Sequence, residues 1–132
     1  PIQYALGYPQ RLAQEYDTLD LLKNNKLDFE SPDSEKFPCL RLAREAANLG
    51  GVYPCILNAA NEIAVEAFLA EEIRFTDIPR MIESLMHEAS PDSARPLNAS
   101  DDVAINQDIE RIYHADISTR KSAKQLLPAV VL

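Results

Sequence analysis

Residues 54–69, Pro-Cys-Ile-Leu-Asn-Ala-Ala-Asn-Glu-Ile-Ala-Val-Glu-Ala-Phe-Leu, decide how this chain folds. Ile56, Ala60, Ile63, Ala64, Ala67 and Phe68 recur at helical spacing, which predicts a helix with one apolar face. Asn58, Asn61 and Glu62 share a stripe one turn long. Asn forms helix poorly and caps it well, so Asn58 is expected to cap the residues that follow. Asn61 and Glu62 have no such local role. Polar groups beside an apolar face either find hydrogen-bond partners, tying this helix to the segments around Phe37 or Phe75, or point to water. Periodicity leaves both readings open.

On the N-terminal side, Pro38 suits the first position of a helix, because the residue before a proline avoids the helical region. That helix is expected to turn Cys39, Leu42, Ala43 and Ala46 inward and to stop at Gly50-Gly51, the first glycine as left-handed cap. Leu27-Asp28-Phe29-Glu30 alternates, predicting a short strand ended by Ser31-Pro32-Asp33. A helical turn is expected at Asp20-Leu21-Leu22-Lys23, and a short first helix around Ile2, Ala5 and Leu6 that Gly7-Tyr8-Pro9 stops.

On the C-terminal side, Thr76 is expected to N-cap a helix whose Ile78, Met81, Ile82, Leu85, Met86 and Ala89 form an apolar stripe. Ser90 to Ser100 reads as a loop. Val103, Ile105, Ile109, Ile112 and Tyr113 predict a short helix, followed by a separate last helix from about Asp116 to Leu127 that Pro128 ends. The tail Ala129-Val130-Val131-Leu132 has no assigned place. Narrow apolar stripes joined by short loops predict a small helical bundle.

Composition narrows the partners. A net charge of −8 argues against nucleic acid, since phosphate binding needs a basic surface. The 13 Lys and Arg residues are scattered, with no basic amphipathic face for anionic lipid, and no apolar run approaches the roughly 20 residues that span a bilayer. Neither nucleic acid nor membrane is an expected partner. Cys39 and Cys55 show no CxxC spacing and have no partner histidines, so two reduced, buried thiols are expected rather than a disulfide or a metal site. That usage fits a cytosolic protein.

Motifs that carry chemistry are scarce. With three glycines there is no Gly-x-Gly-x-x-Gly turn to seat a dinucleotide, and no Gly-x-Ser-x-Gly elbow for a serine nucleophile. His87 and His114 read as surface residues. Asp101-Asp102 reads as a helix start with favourable dipole charges rather than a calcium loop, which needs alternating ligands and a terminal glutamate. Glu71-Glu72 reads as a solvated helix end. No catalytic, cofactor-binding or metal-binding residue is assigned.

Five blocks in order nevertheless carry a resemblance. They are Pro1-Ile2-Gln3-Tyr4-Ala5-Leu6, Leu27-Asp28-Phe29-Glu30-Ser31-Pro32-Asp33, Phe37-Pro38-Cys39-Leu40-Arg41-Leu42-Ala43, Leu57 through Glu62, and Phe75-Thr76-Asp77-Ile78-Pro79. The series resembles the C-terminal part of 1-deoxy-D-xylulose 5-phosphate reductoisomerase, an NADPH-dependent enzyme of non-mevalonate isoprenoid biosynthesis. The likeness is dense to about residue 86, absent over 88–107, and looser over 108–127, where Asp116, Arg120, Ala123 and Leu127 fit the family's last helix.

The resemblance implies a mainly α fold in two parts. Residues 1–33 are then the end of a catalytic domain, a short α/β remnant of helix, loop and strand, and residues 34–132 a helical bundle. It implies NADPH and Mn2+ or Mg2+ in the full-length enzyme, held outside this chain, and none bound by these residues. It also implies a homodimer when full length, the rest of the same enzyme as partner, and a cytoplasmic location, or a plastid one in a plastid-bearing source. The chain opens at Pro1 inside a family block, so a truncated or proteolytic piece is expected. Two readings stand: a piece of the reductoisomerase that supports its catalytic domain and is inactive alone, or an independent helical module that docks a partner helix.

Overall fold

The structure, a computed structural model, describes residues 2–13, 19–98 and 100–130, with side chains to residue 127. The helices are α1 (Ile2–Gly7), α2 (Pro38–Leu49), α3 (Tyr53–Leu69), α4 (Asp77–Glu88) and α5 (Asp102–Val130), with a 3-10 turn at Pro91–Ala94. The chain divides into two compact units, Pro1–Ser31 and Pro32–Leu132.

In the first unit, α1 forms and ends where the Gly7-Tyr8-Pro9 break lies. The turn after Asp20 is closed by its own carboxylate, which accepts the Leu22 N–H at 2.9 Å. The strand expected at 27–30 does not form, and no strand is present among the described residues, so the α/β remnant is not seen. A ladder needs a second strand, and none is available there. Phe29 is accordingly 87% exposed.

The helical unit is organised around α3, which packs against α2, α4 and α5. Ala59, Ala60 and Ala64 are fully buried, and side chains this small let neighbouring helices approach closely. Leu42, Met81 and Ile82 are the largest fully buried side chains. Each contributes roughly 1.5–3 kcal/mol of transfer free energy. The α4 stripe packs as its periodicity predicts: Ile78, Met81, Ile82, Leu85 and Met86 are buried and Ala89 packs against them.

Several local expectations are corrected. Asn58 does not cap a helix, because α3 already begins at Tyr53, with Pro54 tolerated in its first turn. On α2, Leu42 and Ala46 are buried, but Ala43 and Cys39 are exposed, since only a narrow arc of that helix meets α3 and α4. Cys55 is half-buried, so the expected pair of buried thiols is not found. Thr76 stands at the N-cap position without a side-chain bond; the buried Asp77 accepts the Arg74 N–H at 3.0 Å instead. The two C-terminal helices are one, because Tyr113 to Ile117 contains no breaker. Pro128 does not end it, since a proline in the last turn forfeits a single N–H bond. Residues 131–132 of the unplaced tail lie outside the described residues.

The link between α2 and α3 takes glycine for a steric reason. Gly50 (φ 67°) and Gly51 (φ 54°) both lie where side chains are rarely tolerated. A Cβ on Gly51 would overlap the Ser93 and Arg95 carbonyls. Gly50 has ψ −148°, outside the left-handed helical region, so the single left-handed cap expected there is replaced by two successive positive-φ glycines.

Candidate functional site

Two polar nodes hold α5 in place. The first starts on α3, where Asn58 and Glu62 stand one turn apart and the Asn58 Nδ2 donates to Glu62 Oε1 at 2.8 Å. The Arg120 Nη2 on α5 donates to Glu62 Oε2 at 2.7 Å, and its Nε donates to Asp116 Oδ2 at 2.8 Å. Both Glu62 oxygens are thereby engaged, one within α3 and one across to α5. The Arg120 guanidinium, then the Asn58 amide, hold the Glu62 carboxyl below its ordinary value. Asp116, then Glu62, raise that of Arg120.

Cys55 lies beside this node, its Sγ 3.5 Å from the Ile112 carbonyl. Burial, then the charge of Asp116, pushes its thiol up, so it stays protonated at neutral pH and serves as a weak donor rather than a nucleophile.

The second node is Arg111. Its Nη1 donates to Asp108 Oδ1 at 2.8 Å, and its Nη2 donates to the carbonyls of Arg95 at 3.0 Å and Asp92 at 3.3 Å. The other Asp108 oxygen accepts the Asn98 N–H. The Asn98 N–H, then Arg111, hold the Asp108 carboxyl below its ordinary value. One half-buried guanidinium therefore gathers the carbonyls of the 3-10 turn and fixes that loop on α5. An open cleft of about 610 Å³ lies between α4, this turn and α5, with Val52, Ile56 and Leu85 beneath and Glu88, Glu110 and His114 around it.

These arrangements fasten helices together. Asn58 and Glu62, singled out by sequence, are part of a node. The bond runs to Arg120 of α5, not to the segments around Phe37 or Phe75, because helical rise carries Glu62 alongside Arg120. Asn61 is half-buried, and its side chain makes no hydrogen bond among the described residues. The only sequence signal for Arg111 is its i, i+3 spacing from Asp108. Asp101 does start a helix, its Oδ1 accepting the Ala104 N–H at 2.9 Å. His87 and His114 are exposed. Among the described residues no group of three or more His, Cys, Asp and Glu is placed to hold a metal ion.

The family model of the DXP reductoisomerase C-terminal domain matches residues 1–122. This chain belongs to that family. The match runs through residues 88–107, where the quoted blocks gave no likeness. The 1-deoxy-D-xylulose 5-phosphate reductoisomerase of Ectopseudomonas mendocina (strain ymp) is 54% identical over 99 residues, 75% of this chain and 25% of that protein. That of Nitrosomonas europaea is 46% identical over 127 residues, 96% of this chain and 28% of the relative. A crystal structure of DOX-P reductoisomerase in complex with NADPH, fosmidomycin and magnesium aligns with a TM-score of 0.75 at 40% identity, over 96% of this chain and 30% of that one. The chain thus spans about a quarter of the length of the curated relatives it matches. No helix among the described residues is long and apolar enough to cross a membrane.

Proposed function

We propose that this chain is the C-terminal helical part of a reductoisomerase that converts 1-deoxy-D-xylulose 5-phosphate to 2-C-methyl-D-erythritol 4-phosphate in non-mevalonate isoprenoid biosynthesis. One observation carries the reading: the 46% identity to the Nitrosomonas europaea enzyme extends over 96% of this chain. The whole enzyme is an oxidoreductase using NADPH and Mn2+ or Mg2+, which parts of the protein outside this chain hold. NADPH and magnesium in the related crystal structure support that set of ligands.

No residue of this chain takes a catalytic, cofactor or metal role. Residues 1–33 are the end of the catalytic domain, and residues 34–132 form the bundle that braces it. The α3-centred core and the Glu62–Arg120 bond make that brace rigid. The complete enzyme works as a cytoplasmic homodimer, without nucleic-acid or membrane partners. Calorimetry of the chain with NADPH, with and without Mg2+, tests the assignment of roles. No saturable heat is expected, and no turnover of 1-deoxy-D-xylulose 5-phosphate. Saturable binding in the micromolar range would place a cofactor site in this chain and overturn it.

A further inference from the structure

The cleft between α4, the 3-10 turn and α5 lies within the helical unit and holds polar groups that neither node uses. One wall is a single face of α5, where Glu110, His114, Ser118, Thr119 and Ser122 recur at helical spacing. The floor of Val52, Ile56 and Leu85 is apolar and buried. Thr119 is 7% exposed. Its neighbour Ser118 donates to the Ala115 carbonyl at 3.1 Å, whereas the Thr119 hydroxyl has no hydrogen-bond partner among the described residues. No side-chain oxygen there is both sealed from solvent and unpartnered, so this hydroxyl opens into the cleft that Thr119 lines. A hydroxyl in a buried wall calls for a partner, and a ligand can supply it.

The charges around the cleft do not balance. Arg111 is held by Asp108 at 2.8 Å, and Asp92 lies 3.7 Å from Arg95. Glu88 at the end of α4 and Glu110 on α5 form no ion pair among the described residues. Two uncompensated carboxylates, one from each wall, thus stand above an apolar floor. They belong to no group placed to hold a metal ion, which needs several ligands in one compact shell. An anionic ligand would meet the same carboxylates and a net charge of −8. We infer that the cleft binds a linear aliphatic polyamine, with ammonium groups at Glu88 and Glu110 and an amino group donating to the Thr119 hydroxyl. Its methylenes then cover Val52, Ile56 and Leu85. A volume of about 610 Å³ suits a ligand of that size. The inference stands apart from the enzymatic reading above, since it uses only this cleft.

Calorimetric titration of the chain with spermidine tests it, at about 0.15 M salt, where diffuse attraction is screened beyond about 8 Å. Saturable one-to-one binding in the sub-millimolar range is expected, and an equal concentration of Mg2+ is expected to leave it in place. Glu88→Gln combined with Glu110→Gln, both at exposed positions, should abolish binding with an unchanged circular dichroism spectrum. Glu71→Gln combined with Glu72→Gln removes the same charge beyond the far end of α3 and should leave binding unchanged. Thr119→Val, nearly equal in shape, should weaken binding roughly threefold to tenfold. Absence of saturable heat overturns the proposal, as does full displacement by Mg2+. Equal losses from the two glutamate pairs would reveal diffuse attraction only and overturn it too. Undiminished binding by Thr119→Val overturns the placement of the ligand against that hydroxyl.

Discussion

Glu71 is the residue most at odds with its own backbone. It adopts φ 61° just past the end of α3, where glycine is the usual occupant. Its N–H donates to the Phe68 carbonyl at 3.0 Å, and the Glu72 N–H donates to that of Ala67 at 2.9 Å, the paired closure that ends many helices. Replacing Glu71 by glycine removes the left-handed penalty and adds some freedom to the unfolded chain. Glu71→Gly is therefore expected to raise stability by about 0.5–1 kcal/mol in urea unfolding, while Glu71→Ala stays near neutral. The sequence marked this position as a helix end. It concealed the left-handed turn, because the residue that normally signals one is absent. Gly50-Gly51 announced its turn openly for the opposite reason.

Among the elements, α3 and α4 were the most legible, because their apolar residues recur at one period and all face one core. The Asn-containing stripe was half legible. Spacing identified polar groups on α3 that need partners, but which helix supplies the partner is a property of packing, and Arg120 lies 58 residues further on. Helix α5 reads as two pieces in sequence, yet its apolar residues keep to one side: Ile105 and Ile109 are exposed there, while Ala123, at the same angle about the axis, is buried. The node makes a sharp distinction between neighbours on α3. Glu62→Gln and Arg120→Ala are both expected to lower the urea midpoint, since each leaves a charged partner without its counterpart. Asn61→Ala is expected to stay within about 0.5 kcal/mol of the parent. A larger loss for Asn61→Ala than for Arg120→Ala would show that the node does not hold α3 to α5.

Across the whole molecule, stability is linked to the carboxylates of these nodes and of the α5 cap. Glu62, Asp101 and Asp108 are all held below their ordinary values, 4.5 for the glutamate and 3.8 for the aspartates. The unfolded chain then binds protons more readily than the folded one. Their contribution is fully present above those ordinary values and is lost as pH falls through the lowered ones. Urea midpoints should accordingly be flat from neutral pH down to about 4.5 and fall steadily below 3.8. Glu62→Gln should show a shallower fall than the parent chain. At this scale the sequence speaks to partners only through composition: a net charge of −8 argues against a phosphate backbone as ligand. The strand at 27–30 failed because alternation reports a local preference, while a sheet needs a second segment to pair with.

Exchange into a relative tests whether this chain is the bracing C-terminal part of a reductoisomerase. The Nitrosomonas europaea enzyme, with its matched 28% replaced by this chain, is assayed for NADPH oxidation with 1-deoxy-D-xylulose 5-phosphate. Turnover is expected to persist in the chimera and to drop when Arg120→Ala loosens the bundle. A folded chimera that binds NADPH but shows no turnover would contradict the claim.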